Sequence, residues 1–290
     1  MKGAVTRGPA ARAGGFVPNG IVTLLTDFGT REPFVGAMKG RILSACPQAR
    51  VVDLTHELTV YRVAEASFWL ERLRHDFPAG TVHLAIVDPG VGTERRMLAV
   101  ALDGQLLLGP DNGLLGGLAG LAGAEARAVS PDLLARLDPA PSSTFHGRDL
   151  FAPLAAQLAS GRIKFEEVGI VVSDARSSIL PRARRGAEGI EGEVLLVDRY
   201  GNLFSNIEIA PESFMRSGPV VFGGRPLACV RTYGEAPRGT CVALVNAFGV
   251  VEAACVEGSA AEALGLGPGD PVSIRLAQPP PPVNAARGGS

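Results

Sequence analysis

The chain has 290 residues, about two domains' worth at roughly 150 residues each. Hydrophobic residues make up 46% and charged residues 20%, which supplies a core and excludes disorder of the whole chain. The formal charge of −1 excludes nucleic-acid binding through a global basic excess, and no apolar run nears the ~20 residues of a membrane helix.

Residues 1–20 are rich in Ala, Gly, Arg and Pro, carry no acidic residue and lack the apolar stretch of a secretory signal. They read as a disordered N-terminal extension, with an Arg-rich transit peptide as the alternative. Residues 21–180 then alternate strand and helix. Ile21–Thr26, Val51–Leu54 and Thr81–Val87 are apolar runs suited to buried strands. Phe34, Met38 and Ile42 recur at helical spacing up to Pro47. Val63, Ala66, Leu70 and Leu73 mark a helix over 62–77 that ends at Pro78. Asp103-Gly104 joins the runs 97–102 and 105–108 as a hairpin. This alternation predicts an α/β domain with a mainly parallel sheet flanked by helices.

Residues 181–192, with three arginines and no hydrophobic period, read as a linker. Beyond it, short strands over 193–197, 219–222, 227–230, 242–245, 250–256 and 271–276 predict a smaller all-β, barrel-like domain over 193–277. Residues 278–290, with their run of prolines, read as a disordered tail. Cys46, Cys229, Cys241 and Cys255 are far apart and form no Cys-x-x-Cys pair. They predict buried reduced thiols in a cytosolic protein, with no structural zinc.

Parallel sheets bind ligands beyond the carboxyl ends of their strands, so polar residues there are the candidates. Asp27, in Thr26-Asp27-Phe28-Gly29, can accept from a ribose diol or can simply make an Asx-turn. His56 and Glu57 follow the second strand but point to opposite faces, which favours a turn that buries one of them over a metal site. Asp88 opens Asp-Pro-Gly-Val-Gly, a sharp loop that lets Arg95 fold back onto the carboxylate. A plain surface ion pair is the alternative. The loop is neither a Walker A motif nor a dinucleotide fingerprint. His146, in Phe-His-Gly-Arg-Asp, stands just before a helix, where a neutral imidazole is favoured and can take a proton. A capping or core histidine is the alternative. No Gly-x-Ser-x-Gly elbow is present. Asp198-Arg199-Tyr200-Gly201-Asn202 and Asn246-Ala247-Phe248-Gly249 read locally as hairpin turns.

In this order the motifs Thr-Asp-Phe-Gly, Asp-Leu-Thr-His-Glu, Val-Asp-Pro-Gly-Val-Gly, Gly-Pro-Asp-Asn-Gly, Phe-His-Gly-Arg-Asp and Asp-Arg-Tyr-Gly-Asn resemble the adenosine-forming S-adenosyl-L-methionine (SAM) hydrolases, relatives of the SAM-dependent fluorinase and chlorinase. The resemblance spans residues 21–276. It implies a homotrimer whose active sites lie between one subunit's N-terminal domain and a neighbour's C-terminal domain, with SAM as substrate and no cofactor or metal. It places Asp88, Arg95 and His146 around a water. Asp88 and His146 are then expected to orient and deprotonate that water while Arg95 fixes Asp88. It makes Asp27 the ribose carboxylate, sets Phe28 and Tyr61 beside the ligand, and assigns Asp198, Asn202 and Asn246 to the methionine end. Ala247 stands where many relatives carry a serine. Expected products are adenosine and L-methionine. A halogenase, or a sensor that binds SAM or adenosine without turnover, are the alternatives, with a metal-dependent phosphohydrolase third. An anionic Asp88 would repel a halide, which favours hydrolysis. The expected setting is cytoplasmic, with neither membrane nor nucleic acid as partner.

Overall fold

A computed structural model describes residues 15–276. The chain divides after Leu180 into two compact units.

The first unit holds β1 (Ile21–Thr26), α1 (Phe34–Ala45), β2 (Arg50–Thr55), α2 (Val63–Leu73), β3 (Val82–Ile86), β4 (Met97–Leu102), β5 (Gln105–Pro110), α3 (Gly116–Ala119), β6 (Glu125–Val129), α4 (Pro131–Leu137), α5 (Ala152–Ala159) and β7 (Gly169–Val171). The strands form one sheet in the order β2-β1-β3-β5-β4-β6-β7. The four strands β2-β1-β3-β5 run parallel, as the alternation predicted. The rest pair antiparallel, so the sheet is mixed. Asp103 and Gly104 explain the change. Both have positive φ, as a two-residue type I′ turn requires, and they return β4 directly into β5.

The period-2 alternation of strand side chains divides this unit's core in two. Val22, Leu24, Val82, Leu84, Ile86, Leu106 and Leu108 pack against α1 and α5. Leu25, Ala85, Val87, Leu98, Val100 and Leu107 pack against α2 and α3. The chain runs outward from β1 to β2 and then crosses back to β3 on the other side of β1. That reversal of strand order makes the carboxyl ends of β1 and β3 a topological switch point, where doubly wound sheets bind ligands.

The second unit holds β8 (Arg184–Arg185), β9 (Gly189–Val197), β10 (Leu203–Glu208), α6 (Pro211–Met215), β11 (Val220–Phe222), β12 (Arg225–Cys229), β13 (Cys241–Val245), β14 (Val250–Cys255), α7 (Ala260–Leu264) and β15 (Pro271–Arg275). The strands run β10-β14-β13-β12-β11-β15-β9, and pairing of β9 with β10 closes a seven-stranded barrel, with β8 added outside β9. Val194, Leu203, Ile207, Val220, Phe222, Ala243, Val251 and Val272 fill its interior.

Several expectations need correction. Residues 15–20 of the expected N-terminal extension are ordered: Phe16 packs on the core, Asn19 Nδ2 donates to the Ala79 carbonyl at 2.9 Å, and Asn19 Oδ1 accepts from the Ile21 N–H at 2.8 Å. Residues 1–14 and the expected tail 278–290 lie outside the described residues. β9 begins at Gly189, inside the segment read as a linker, because residues 189–193 already pair with β15. The cysteines are free, but only Cys46 is buried, and the other three are half-buried. Among the described residues, no helix is long and apolar enough to cross a membrane.

Candidate active site

Asp88 stands two residues beyond the last residue of β3. The main chain before it is held by Asn112, whose Nδ2 donates to the Val87 carbonyl at 2.8 Å. A tight turn follows, with the Thr93 hydroxyl donating to the Gly90 carbonyl at 2.7 Å, and it sends Arg95 back over Asp88. Arg95 Nε donates to Asp88 Oδ2 at 2.7 Å, and Nη2 pairs with the same oxygen. Both side chains are buried, with 6% of Arg95 and 5% of Asp88 exposed, so this is no surface ion pair. The second oxygen, Oδ1, is also buried and has no hydrogen-bond partner among the described residues. A buried acceptor left unpaired costs about 1–3 kcal/mol, so Oδ1 calls for a donor from a ligand.

His146 completes the cluster. Arg95 Nη2 lies 3.2 Å from His146 Nδ1. A guanidinium can only donate, so Nδ1 accepts and the neutral ring carries its proton on Nε2. Burial lowers the His146 pKa, and the Arg95 charge lowers it further, so the ring is neutral at pH 7. The ring's one lone pair is therefore on Nδ1 and is engaged by Arg95. This disagrees with the expectation that His146 deprotonates water.

Two local devices bring these segments together. Gly92 has φ +81°, and a Cβ there would overlap the Ser143 carbonyl oxygen, so only glycine lets the β3 loop lie against the segment before His146. That segment is pinned in turn by Asp149, which accepts from the Ser142 N–H at 2.9 Å and takes both ends of the Arg148 fork at 2.6 and 2.8 Å. Residues 147–151 form a π-turn ahead of α5, a feature frequent at functional sites.

At the end of β1, Asp27 Oδ2 accepts from the Tyr61 N–H at 2.9 Å. Tyr61 is a non-glycine residue at φ +66° with 71% of its surface exposed. Its carbonyl accepts from the Val63 N–H at 3.0 Å in an inverse γ-turn around Arg62. Strain at an exposed aromatic beside a carboxylate makes this corner a candidate ligand site. The ring of Phe28 sits edge-on to Phe34 and to Phe145, with centroids 6.2 and 6.0 Å away, which links the β1 end to the residue before His146. His56 is buried, with Nδ1 2.8 Å from the Thr26 hydroxyl and Nε2 3.0 Å from Asp53 Oδ1. Both ring nitrogens face protein groups, so His56 braces the turn at Asp27 and is no metal ligand.

The second unit has its own pocket, a cavity of about 530 Å³ lined by Asp198, Tyr200, Asn202, Phe204, Tyr233 and the hairpin around Asn246. Asp198 Oδ1 accepts from the Tyr200 and Asn202 N–H groups, both at 2.9 Å, and Oδ2 accepts from Asn202 Nδ2 at 3.0 Å. Asn246 is committed to the protein: Oδ1 accepts from the Phe248 and Val250 N–H groups, and Nδ2 donates to Glu252 Oε2 at 2.9 Å. Its side chain shapes the hairpin and has one N–H with no partner among the described residues. Sequence reasoning passed over Glu252 and Tyr233, and it named Gly92 and Asn112 only as members of their motifs. For Glu252 a signal existed, since a carboxylate inside the apolar run Val250–Cys255 has to be paired.

This fold and site define a two-unit α/β-plus-barrel protein with a buried carboxylate whose second oxygen has no partner among the described residues. The chain belongs to the SAM hydroxide adenosyltransferase family: that family's N-terminal domain matches residues 22–169 and its C-terminal domain residues 192–273. It is 41% identical over 263 residues to the (R)-S-adenosyl-L-methionine hydrolase of Thermus thermophilus, covering 87% of this chain and 98% of the relative. It is 31% identical to the fluorinase of an Actinoplanes strain, covering 65% of this chain and 72% of the relative. The crystal structure of an uncharacterized conserved protein from Thermotoga maritima superposes with a TM-score of 0.79 at 32% identity, covering 87% of this chain and 99% of that one.

Proposed function

We propose that the protein hydrolyses SAM to adenosine and L-methionine by in-line attack of water on the ribose 5′-carbon. The observation that carries this reading is the unpartnered, buried Asp88 Oδ1 beside the Arg95–His146 pair. The sulfonium is already a good leaving group, so the step needs neither an acid nor a cofactor. It needs one water placed opposite the sulfur in a site closed to bulk solvent. Asp88 Oδ1 accepts a proton from that water as attack proceeds. Arg95 keeps Asp88 ionised and fixed, and His146, neutral and protonated on Nε2, is a donor that orients the water oxygen. Asp27 Oδ1, with no partner among the described residues, receives the ribose hydroxyls beside Phe28 and Tyr61. Asp198 and Asn202, with the spare N–H of Asn246, receive the methionine end, where Ala247 offers no hydroxyl. The assembly is a homotrimer acting in the cytoplasm, in which a neighbour's C-terminal unit completes each site.

The dry carboxylate also favours water over halide, since an anion beside Asp88 is repelled. The test is incubation of the pure protein with SAM, followed by chromatography, with and without chloride or fluoride. Adenosine and methionine are expected in equal amounts under every condition. A halogenated nucleoside would make the protein a halogenase. Intact SAM recovered from a saturable complex would make it a sensor.

A further inference from the structure

Glu252 takes no part in the chemistry above, yet it is the most deeply buried carboxylate among the described residues, with 1% of its surface exposed. It sits in β14 opposite Leu244 of β13 and Phe204 of β10, both buried and apolar. Neither neighbour compensates a charge, so what does must come from the pocket side. Oε1 accepts from the Tyr233 hydroxyl at 2.8 Å and Oε2 from Asn246 Nδ2 at 2.9 Å. Burial raises the Glu252 carboxyl above its ordinary value, and these two donors oppose the rise.

The two donors differ in how else they are held. Asn246 belongs to the β13–β14 hairpin and is also fixed by the bonds from Phe248 and Val250. Tyr233 stands outside the barrel strands, on a single 3₁₀ turn between β12 and β13 with 44% of its surface exposed. Apart from the short-range bonds of that turn, its hydroxyl is what ties the ring to the barrel wall. A ring on a loop has several staggered settings open to it, and a bond at its far end selects one of them.

We infer that Glu252 is a positioning residue for substrate binding: it holds Tyr233 and Asn246 in one arrangement on the wall of the Asp198–Asn202 pocket and so sets ground-state affinity. This rests on the reading of that pocket as part of the SAM site. Glu252 lies in the barrel unit and Asp88 in the α/β unit, so its loss acts on binding and leaves the attack step alone.

The experiment measures steady-state hydrolysis of SAM and, separately, L-methionine binding by calorimetry. Its arms are the wild-type protein, Glu252→Leu, Glu252→Gln and Tyr233→Phe. Leucine fills the same space and removes both acceptors. Glutamine can accept from Asn246 and donate to the tyrosine oxygen. Glu252→Leu is expected to raise KM and the L-methionine dissociation constant about tenfold, the worth of one or two hydrogen bonds, with kcat within about twofold. Glu252→Gln is expected to recover most of that loss, and Tyr233→Phe to show an intermediate rise in KM. Unchanged KM in both Glu252→Leu and Tyr233→Phe would overturn the inference, as would a fall in kcat at unchanged KM. If Glu252→Leu fails to fold, Tyr233→Phe decides alone, since it removes one bond at a half-exposed ring. A wild-type protein that neither binds L-methionine nor turns over SAM would refute the proposed function instead, so the two failures are distinct.

Discussion

Arginine 95 makes two different contacts with one planar group, and that decides what the site can do. Its Nε and Nη2 grip one oxygen of Asp88 while Nη2 also reaches His146 Nδ1. The fork leaves Asp88 with a single open oxygen and His146 with a single open donor, a pairing suited to one water molecule. Lysine carries the same charge but has no fork, so Arg95→Lys cannot hold both partners at once. Asp88→Asn presents an amide where an acceptor is needed. On the proposed function, in which these groups act on the water during attack, each change is expected to lower kcat by about 10²–10⁴-fold with KM little altered. Circular dichroism would show whether the fold is intact. Near-normal turnover in a folded Asp88→Asn protein would remove Asp88 as the acceptor.

At the scale of elements, the site depends on one loop leaving β3 and one segment entering α5 lying in contact. Gly92 is a point of close approach, where its backbone lies against the Ser143 carbonyl. Gly92→Ala would force a side chain into a positive-φ position and against the Ser143 carbonyl, at a cost of about 1–3 kcal/mol. The loop can relieve this by moving away, and it carries Arg95 off His146 when it does. A small fall in the melting temperature with a large fall in kcat is the expected pair of results. A large fall in the first with no change in the second would show that the loop is structural only. The same scale explains what the sequence reveals. β1, β3 and β5 are largely apolar and buried because both of their faces are covered, and their strand ends put Asp27 and Asp88 in view. β10 escaped notice because Leu203–Glu208 does not alternate cleanly. Its pairings to β9 and β14 both shift register after Phe204, and the buried Ser205 spends its hydroxyl on the Val251 carbonyl. Asp88 and Arg95 are seven residues apart, close enough to suggest a loop that returns on itself. The contact between Arg95 and His146 spans 51 residues and was reached only through the family resemblance, since no spacing rule encodes it. The role of His146 depended on which nitrogen faces Arg95, and no sequence carries that.

The two units also differ in how protons are linked to their stability. In the α/β unit, His83 of β3 is fully buried, with Nδ1 2.8 Å from the Thr23 hydroxyl and Phe77 edge-on to its ring. Burial, and then the nearby Arg74 charge, lower its pKa to about 4. An unfolded chain holds that proton at its ordinary pKa near 6.5, so between these values the unfolded state binds more protons and stability falls as the pH is lowered. From pH 7 to pH 5 the loss is about 2 kcal/mol. In the barrel unit, Glu252 has a raised pKa, so there the folded state binds more protons and stability falls as the pH rises past the ordinary glutamate value. Mild acid thus weakens the first unit and favours the second. The single tryptophan, Trp69, lies in α2 and reports on the first unit. Its fluorescence transition in urea should move to lower denaturant between pH 7 and pH 5, while the far-ultraviolet signal, which samples both units, moves less. His83→Phe, with an aromatic of similar breadth that cannot be protonated, should remove most of the shift in the Trp69 transition. An equal shift in wild type and variant would place the acid sensitivity elsewhere, on groups such as His146 that share the lowered direction.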